Sequence, residues 1–267
     1  MKSKNGFIKF QKVFSAAVIP VAFIISVVVF STVMGDPSHF MGNNPNNAPI
    51  PGDFLGIIYK GGFIVPLLMT LLLTVITFSI ERFFTINQAG GKGSAVTFMA
   101  KIKSDLAGNK IKDAIAECDR FQGSVGSVAK AALEKYAMLE NDTTMTKEQK
   151  ILDIQKNIEE ATSLELPSLE QNLNIIATIS SLATLMGLLG TVLGMIRAFA
   201  AMANAGAPDS VALASGISEA LINTAFGIGS AALAIISYAF YTGKIDKITF
   251  AIDEAGYSIA QTFAAKH

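Results

Sequence analysis

Two apolar stretches of this 267-residue chain, residues 173–205 and 211–241, carry a few side chains that hydrocarbon would exclude. Among them are one guanidinium, Arg197, one carboxylate, Glu219, the hydroxyls of Thr184, Thr191 and Thr224, and the amide of Asn223. A carboxylate takes up and releases protons, while hydroxyls and amides orient water or a second carboxyl group. In a bilayer each of these groups needs a partner, and an ionisable residue inside a span is read first as functional. Two plainer readings stand beside that one. Each threonine hydroxyl can bond back to its own helix, and Glu219 can be half of an ion pair with Arg197. The functional and plain readings can coexist.

The elements that position these groups follow from the surrounding residues. About 20 apolar residues span the hydrocarbon core, and both stretches exceed that. Only Gly206-Ala207-Pro208-Asp209-Ser210 joins them, so an antiparallel membrane hairpin is expected. A turn centred near 207–208 puts Thr191 level with Thr224, roughly 24 Å from the turn at 1.5 Å per residue. It puts Arg197 level with Glu219, nearer the turn. Small residues recur four apart at Gly187 and Thr191, at Gly190, Gly194 and Ala198, and at Gly216, Ala220 and Thr224. That spacing lets membrane helices approach closely, so Gly187, Gly190, Gly194 and Gly227 are expected to serve helix packing. Ser215, Glu219 and Asn223, at i, i+4 and i+8, form a second polar stripe.

The run Gly-Leu-Leu-Gly-Thr-Val-Leu-Gly-Met-Ile-Arg-Ala-Phe from Gly187 to Phe199 resembles half of a known signature. Ile-Ser-Glu-Ala-Leu-Ile-Asn-Thr-Ala-Phe-Gly from Ile217 to Gly227 resembles the other half. Together they are similar to the hairpin of the MotA/TolQ/ExbB proton-channel family, closest to its ExbB and TolQ branch. Residues 63–84, ending at Glu81-Arg82, resemble that branch's preceding membrane helix. The resemblance implies that Thr191 and Thr224 are pore threonines and Glu219 the pore glutamate. Thr184, seven residues from Thr191 on one face, and Asn223, on the Glu219 stripe, are expected on the same proton pathway, although Asn223 and Arg197 are less typical of the family. It implies a homopentamer around single-span helices of an ExbD/TolR-type partner, whose membrane aspartate carries the titrating proton. A TonB-type transducer would receive the force, in the inner membrane of a Gram-negative bacterium.

Composition agrees with a membrane chain: 51% of residues are hydrophobic and 16% charged, with zero net charge and positive mean hydropathy. A soluble average is about 25% charged. Zero net charge implies no bulk attraction to nucleic acid. Cys118 is the single cysteine, which excludes an intrachain disulfide and reads as a small buried thiol.

The fold class expected is an all-α membrane protein, with long transmembrane helices extended into a cytoplasmic helical domain and an additional amino-terminal span. Residues 1–34 read as a cytoplasmic terminus and a first transmembrane helix. The rival is a cleaved signal peptide, but the apolar core is longer than a signal's and lacks an A-x-A-like site. Residues 35–62, with four prolines, form a periplasmic loop with a short helix near 53–59. His39 in that loop reads as a solvated residue, not a metal ligand. Residues 63–84 are the second membrane helix, where Thr70, Thr74 and Thr77 share a packing face. Residues 85–172 are the cytoplasmic domain, with helices over 96–106, 111–121, 125–139 and 147–166 and a break at Asn141-Asp142. A capping box is expected at Thr146 and Gln149. Residues 173–241 are the pore-forming hairpin. Residues 242–267 give an amphipathic cytoplasmic helix through Ile245, Ile248, Ile252, Ile259 and Phe263. Basic residues concentrate in 1–12, 81–168 and 242–267, whereas 35–62 and 204–210 hold only Lys60. The positive-inside rule then puts both termini in the cytoplasm.

No nucleophile–base pair, metal-ligand spacing or phosphate loop appears, so neither an enzyme nor a cofactor or metal site is expected. A secondary transporter with a small-molecule site at Glu219 and Arg197 is one rival. Four unequal spans without an internal repeat disfavour it. A passive scaffold leaves the aligned polar levels unexplained. Within the resembled family, ExbB-like service to nutrient uptake is preferred to TolQ-like envelope maintenance, and a flagellar stator fits less well.

Overall fold

The computed structural model of the chain describes residues 2–140, 142–203 and 210–266. The hairpin turn at 206–209 and the break at Asn141 fall outside them. The described chain is helical, and its only extended pairing is the single bridge between Phe40 and Pro49.

The helices are α1 (Lys2–Val28), α2 (Phe54–Tyr59), α3 (Ile64–Ala89), α4 (Ala95–Ala107), α5 (Ile111–Phe121), α6 (Gly123–Glu140), α7 (Lys147–Glu170), α8 (Leu173–Ala203) and α9 (Ser210–Lys266). A π-helical turn, Val29–Met34, prolongs α1. Four helical stretches are long and apolar enough to cross a bilayer: Ser15–Met34, Ile64–Ala89, Lys147–Ala203 and Ser210–Lys266. The protein is an all-α membrane protein. The capping box forms as its sequence requires, with Gln149 N donating to Thr146 Oγ1 and Thr146 N to Gln149 Oε1. The second hairpin arm and the amphipathic tail are a single helix, because Gly243 stays helical at a cost of only about 1 kcal/mol.

The chain divides into two compact units, Met1–Ile80 with Asn172–Tyr238, and Glu81–Gln171 with Ala239–His267. In the first, the loop ahead of α3 is built rather than slack. Asp53 caps α2, accepting from the amides of Leu55 and Gly56 at 3.0 Å each. His39 Nδ1 meets Asp53 Oδ2 at 2.7 Å with its side chain 20% exposed. The expectation of a solvated histidine is therefore corrected: the capping carboxylate draws it in. The Gly56 amide, followed by His39, holds the Asp53 carboxyl below its usual range. Tyr59 stacks on Phe30 at 4.7 Å, and Lys60 Nζ donates to the Pro45 and Asn46 carbonyls. Met34, Val65 and Met69 form a small core there with Ile222 and Phe226 against it. Thr70, Thr74 and Thr77 all donate to carbonyls one turn back in α3.

The second unit packs α4–α7 with the end of α9 around Ile102, Leu133, Tyr136, Ile154, Ile252, Ile259 and Phe263. Arg82 lies fully buried in it. Its guanidinium pairs with the neighbouring Glu81 carboxylate, and Nη1 donates to the carbonyls of Ser168 and Leu169 at 3.1 and 3.2 Å. Those carbonyls are free because α7 ends at Glu170, where Gln171 is extended and Asn172 takes a φ of +64°. A helix leaves its last four carbonyls without intrahelical donors, and a cation there also suits the helix dipole. The sequence reading saw Glu81-Arg82 only as the charged end of a span.

Two tests follow from this packing. Arg82→Ala removes the guanidinium from the Glu81 carboxylate and from two helix-end carbonyls, and should cost about 3–5 kcal/mol, read as a lowered thermal midpoint in detergent. Burial, with the Asp119 and Glu117 charges adding, pushes the Cys118 thiol from 9.0 up to about 12. Native protein at pH 8 should resist maleimide while denatured protein reacts promptly. Because the folded value is the higher one, this group's contribution to stability is full below pH 9 and is lost as pH rises toward about 12.

Candidate functional site

The site is built on backbone contact between α8 and α9. A β-carbon added at Gly194 would come within 2.8 Å of both Ala220 N and Gly216 O, and one at Gly216 would meet Ala198 N at the same distance. At Gly227 it would meet Ala183 O at 2.7 Å, and at Gly187 the Asn223 carbonyl at 3.1 Å. Gly190 holds the side chain of Asn223 against its own backbone. The expected packing glycines are all at the crossing, where only a hydrogen fits.

Two polar levels result, as the spacing predicts. The Thr191 and Thr224 hydroxyls are hydrogen-bonded to each other across the hairpin, and both remain half-buried. Each also reaches a carbonyl one turn back, Gly187 O for Thr191 and Ala220 O for Thr224, at 3.2 Å. Nearer the turn, Arg197 Nη1 donates to Glu219 Oε1 at 2.5 Å. The pair is asymmetric: the Glu219 side chain is 9% exposed and that of Arg197 51%. The carboxylate is sheltered inside the chain and the guanidinium stands at its edge, 5.7 Å over the Phe63 ring.

Other expected members fall elsewhere. Thr184 is exposed and bonds back to Ser180 O at 3.2 Å, so it remains on the surface without meeting α9 through a hydrogen bond. Asn223 is corrected. It has no exposed surface in one chain, and its Nδ2 donates to Gly61 O at 2.9 Å. Within one chain it is an internal residue, unlike the half-buried Thr191 and Thr224. Ser215, its presumed companion on one stripe, is exposed.

The site includes the end of the segment expected as loop, Lys60–Gly62, and Phe63, expected as the first residue of the second membrane helix. Gly61 offers its carbonyl to Asn223, and Gly62, at φ +75°, lies so close to Glu219 that a β-carbon would sit 2.5 Å from Oε1. A glycine doublet ahead of a span marks a turn, but nothing in its composition says where the turn lands. Among the described residues, no three His, Cys, Asp or Glu side chains come together as a metal site.

Comparison with known proteins fits this geometry. The family model described as "MotA/TolQ/ExbB proton channel family" matches residues 122–254. The Tol-Pal system protein TolQ of Haemophilus influenzae is 29% identical over 203 residues, 73% of this chain and 87% of that one. TolQ of Pseudomonas aeruginosa is 24% identical over 197 residues, 72% and 84% of the two chains. Biopolymer transport protein ExbB of Xanthomonas campestris pv. campestris is 27% identical over 111 residues, 42% and 44%.

The crossing yields a direct test. Gly194→Val forces two backbones apart and should abolish the hairpin's stable packing, read as loss of monodisperse protein in detergent. Gly229→Ala, where a β-carbon meets nothing within 4 Å, should behave as wild type.

Proposed function

The chain belongs to the MotA/TolQ/ExbB proton channel family, and we propose that it is an ExbB-like subunit converting the proton-motive force into mechanical work. Identical chains, five by family resemblance, assemble so that their half-buried hydroxyls face one another instead of lipid. A polar group in hydrocarbon without a partner is costly, and one hairpin alone leaves Thr191 and Thr224 open to its surroundings on one side. Single-span helices of an ExbD/TolR-type partner occupy the enclosed space. The partner's carboxyl carries the proton, the threonine hydroxyls orient water or that carboxyl, and Glu219 with Arg197 sets the local charge. By the distribution of basic residues, both termini lie in the cytoplasm of an inner membrane. The energised target is a TonB-type transducer serving outer-membrane uptake.

The observation that carries this reading is the paired Thr191 and Thr224 hydroxyls, about one and a half helical turns from a buried carboxylate, inside a membrane hairpin. A charge crossing the field is worth about 2.3 kcal/mol per 100 mV, so several protons suffice for a mechanical step. A second reading is a TolQ-like role in the Tol-Pal system. It is favoured by the extent of similarity, since the TolQ relatives align over most of their length and the Xanthomonas ExbB over less than half.

Thr191→Ala and Thr224→Ala should leave assembly intact and abolish proton flux in vesicles; full flux in both removes the assignment. Glu219→Ala should be equally severe. A strain lacking the gene separates the two readings, losing TonB-dependent uptake in the first and envelope integrity in the second.

A further inference from the structure

Glu219 is more enclosed than its pairing with Arg197 requires, and the enclosure comes from outside the hairpin. Gly61, Gly62 and Phe63 stand over the Arg197–Glu219 pair: Asn223 Nδ2 binds the Gly61 carbonyl at 2.9 Å, Gly62 presents bare backbone to Glu219 Oε1, and the Phe63 ring lies under the guanidinium. Gly62 can do this for two reasons. Its φ of +75° is strained for residues with a β-carbon, and the space that carbon would take is held by the carboxylate. Asn223 is one turn beyond Glu219 on α9, so a single helix face carries both the carboxylate and the amide that ties down its cover. With no exposed surface, Asn223 is turned inward: its Nδ2 is bonded to Gly61, while its Oδ1 is buried without a hydrogen-bond partner.

We propose that Asn223 and Gly62 are positioning residues for Glu219: the amide anchors the Gly61–Gly62 turn, and the turn holds the carboxylate against Arg197 and walls it from water on that side. This rests on the channel reading, in which Glu219 sets the charge beside the proton path. Access to the carboxylate is then set by how often the turn lifts, a local opening and not a global one.

The experiment uses the full assembly in proteoliposomes, treated at one fixed pH with a water-soluble carbodiimide and an amine nucleophile. Modification of Glu219 is followed by peptide mass spectrometry, with proton flux measured on the same preparations. Asn223→Ala and Gly62→Ala should each be modified about tenfold faster than wild type, as a shifted opening equilibrium requires, and should show altered flux. Gly229→Ala should match wild type in both. If Gly62→Ala fails to assemble, Asn223→Ala and Phe63→Ala decide, since neither introduces backbone strain. Wild-type modification rates in the assembled variants overturn the positioning role and leave the channel reading standing. Faster modification together with unimpaired flux in Thr191→Ala and Thr224→Ala upholds the cover and overturns the channel instead.

Discussion

Backbone contact between α8 and α9 is the constraint on which the rest of the membrane hairpin depends. Lipid gives apolar helices no hydrophobic reason to associate, so close van der Waals approach and polar contacts between them must supply the attraction. Glycine at 187, 190, 194, 216 and 227 removes the atoms that would hold the axes apart. A threonine hydroxyl is one bond from its β-carbon and reaches little beyond its own helix surface. Thr191 and Thr224 therefore meet only because the helices already touch a turn away on either side. Arg197 and Glu219, with longer side chains, meet nearer the turn, beside the close approach of Gly216 to Ala198. The same contact that brings the hydroxyls together shelters the carboxylate.

Much of this was legible in the sequence because two periodicities agree. Glycines four apart mark the contact face, and antiparallel geometry with a short connector fixes which residues share a level. The helices of the second unit were legible too, from caps and glycine breaks: α5 occupies 111–121 as read, and Thr146 caps α7. The direction of Asn223 was not legible. Positions i, i+4 and i+8 turn through roughly 80° in all, enough to leave Ser215 exposed while Asn223 is enclosed. Nor could periodicity place the Gly61–Gly62 turn, because loops carry no repeating signal and this one is positioned by a contact 162 residues away. The continuous helix α9 agrees with the expectation of transmembrane helices extended beyond the membrane, with Tyr241, Ile245 and Ile248 buried as it passes through Gly243.

The two buried or half-buried arginines show how partner number separates structure from function. Arg82 spends its guanidinium on a carboxylate and two helix-end carbonyls, with none of its surface left to solvent. It is a closed arrangement, and disturbing it costs stability. Arg197 uses one nitrogen on Glu219 and keeps half of its side chain exposed. A charge held that way can change partners without unfolding anything, whereas Glu219, enclosed by α8 and the Gly61–Gly62 turn, cannot follow it outward.

The threonine level has its own incompleteness. A hydroxyl has one proton and two acceptor lone pairs. Thr191 and Thr224 lie within bonding distance of Gly187 O, Ala220 O and each other, so two protons face three contacts. Whichever hydroxyl donates to its partner gives up its own carbonyl, and the two arrangements exchange when both hydroxyls rotate about their Cβ–Oγ1 bonds. Both hydroxyls also stay half-buried, with lone pairs open to a donor from outside the hairpin. A pair that can be satisfied in either sense presents a reversible donor or acceptor to whatever faces it. That is the property a proton-handling surface needs, and a single back-bonded threonine does not have it.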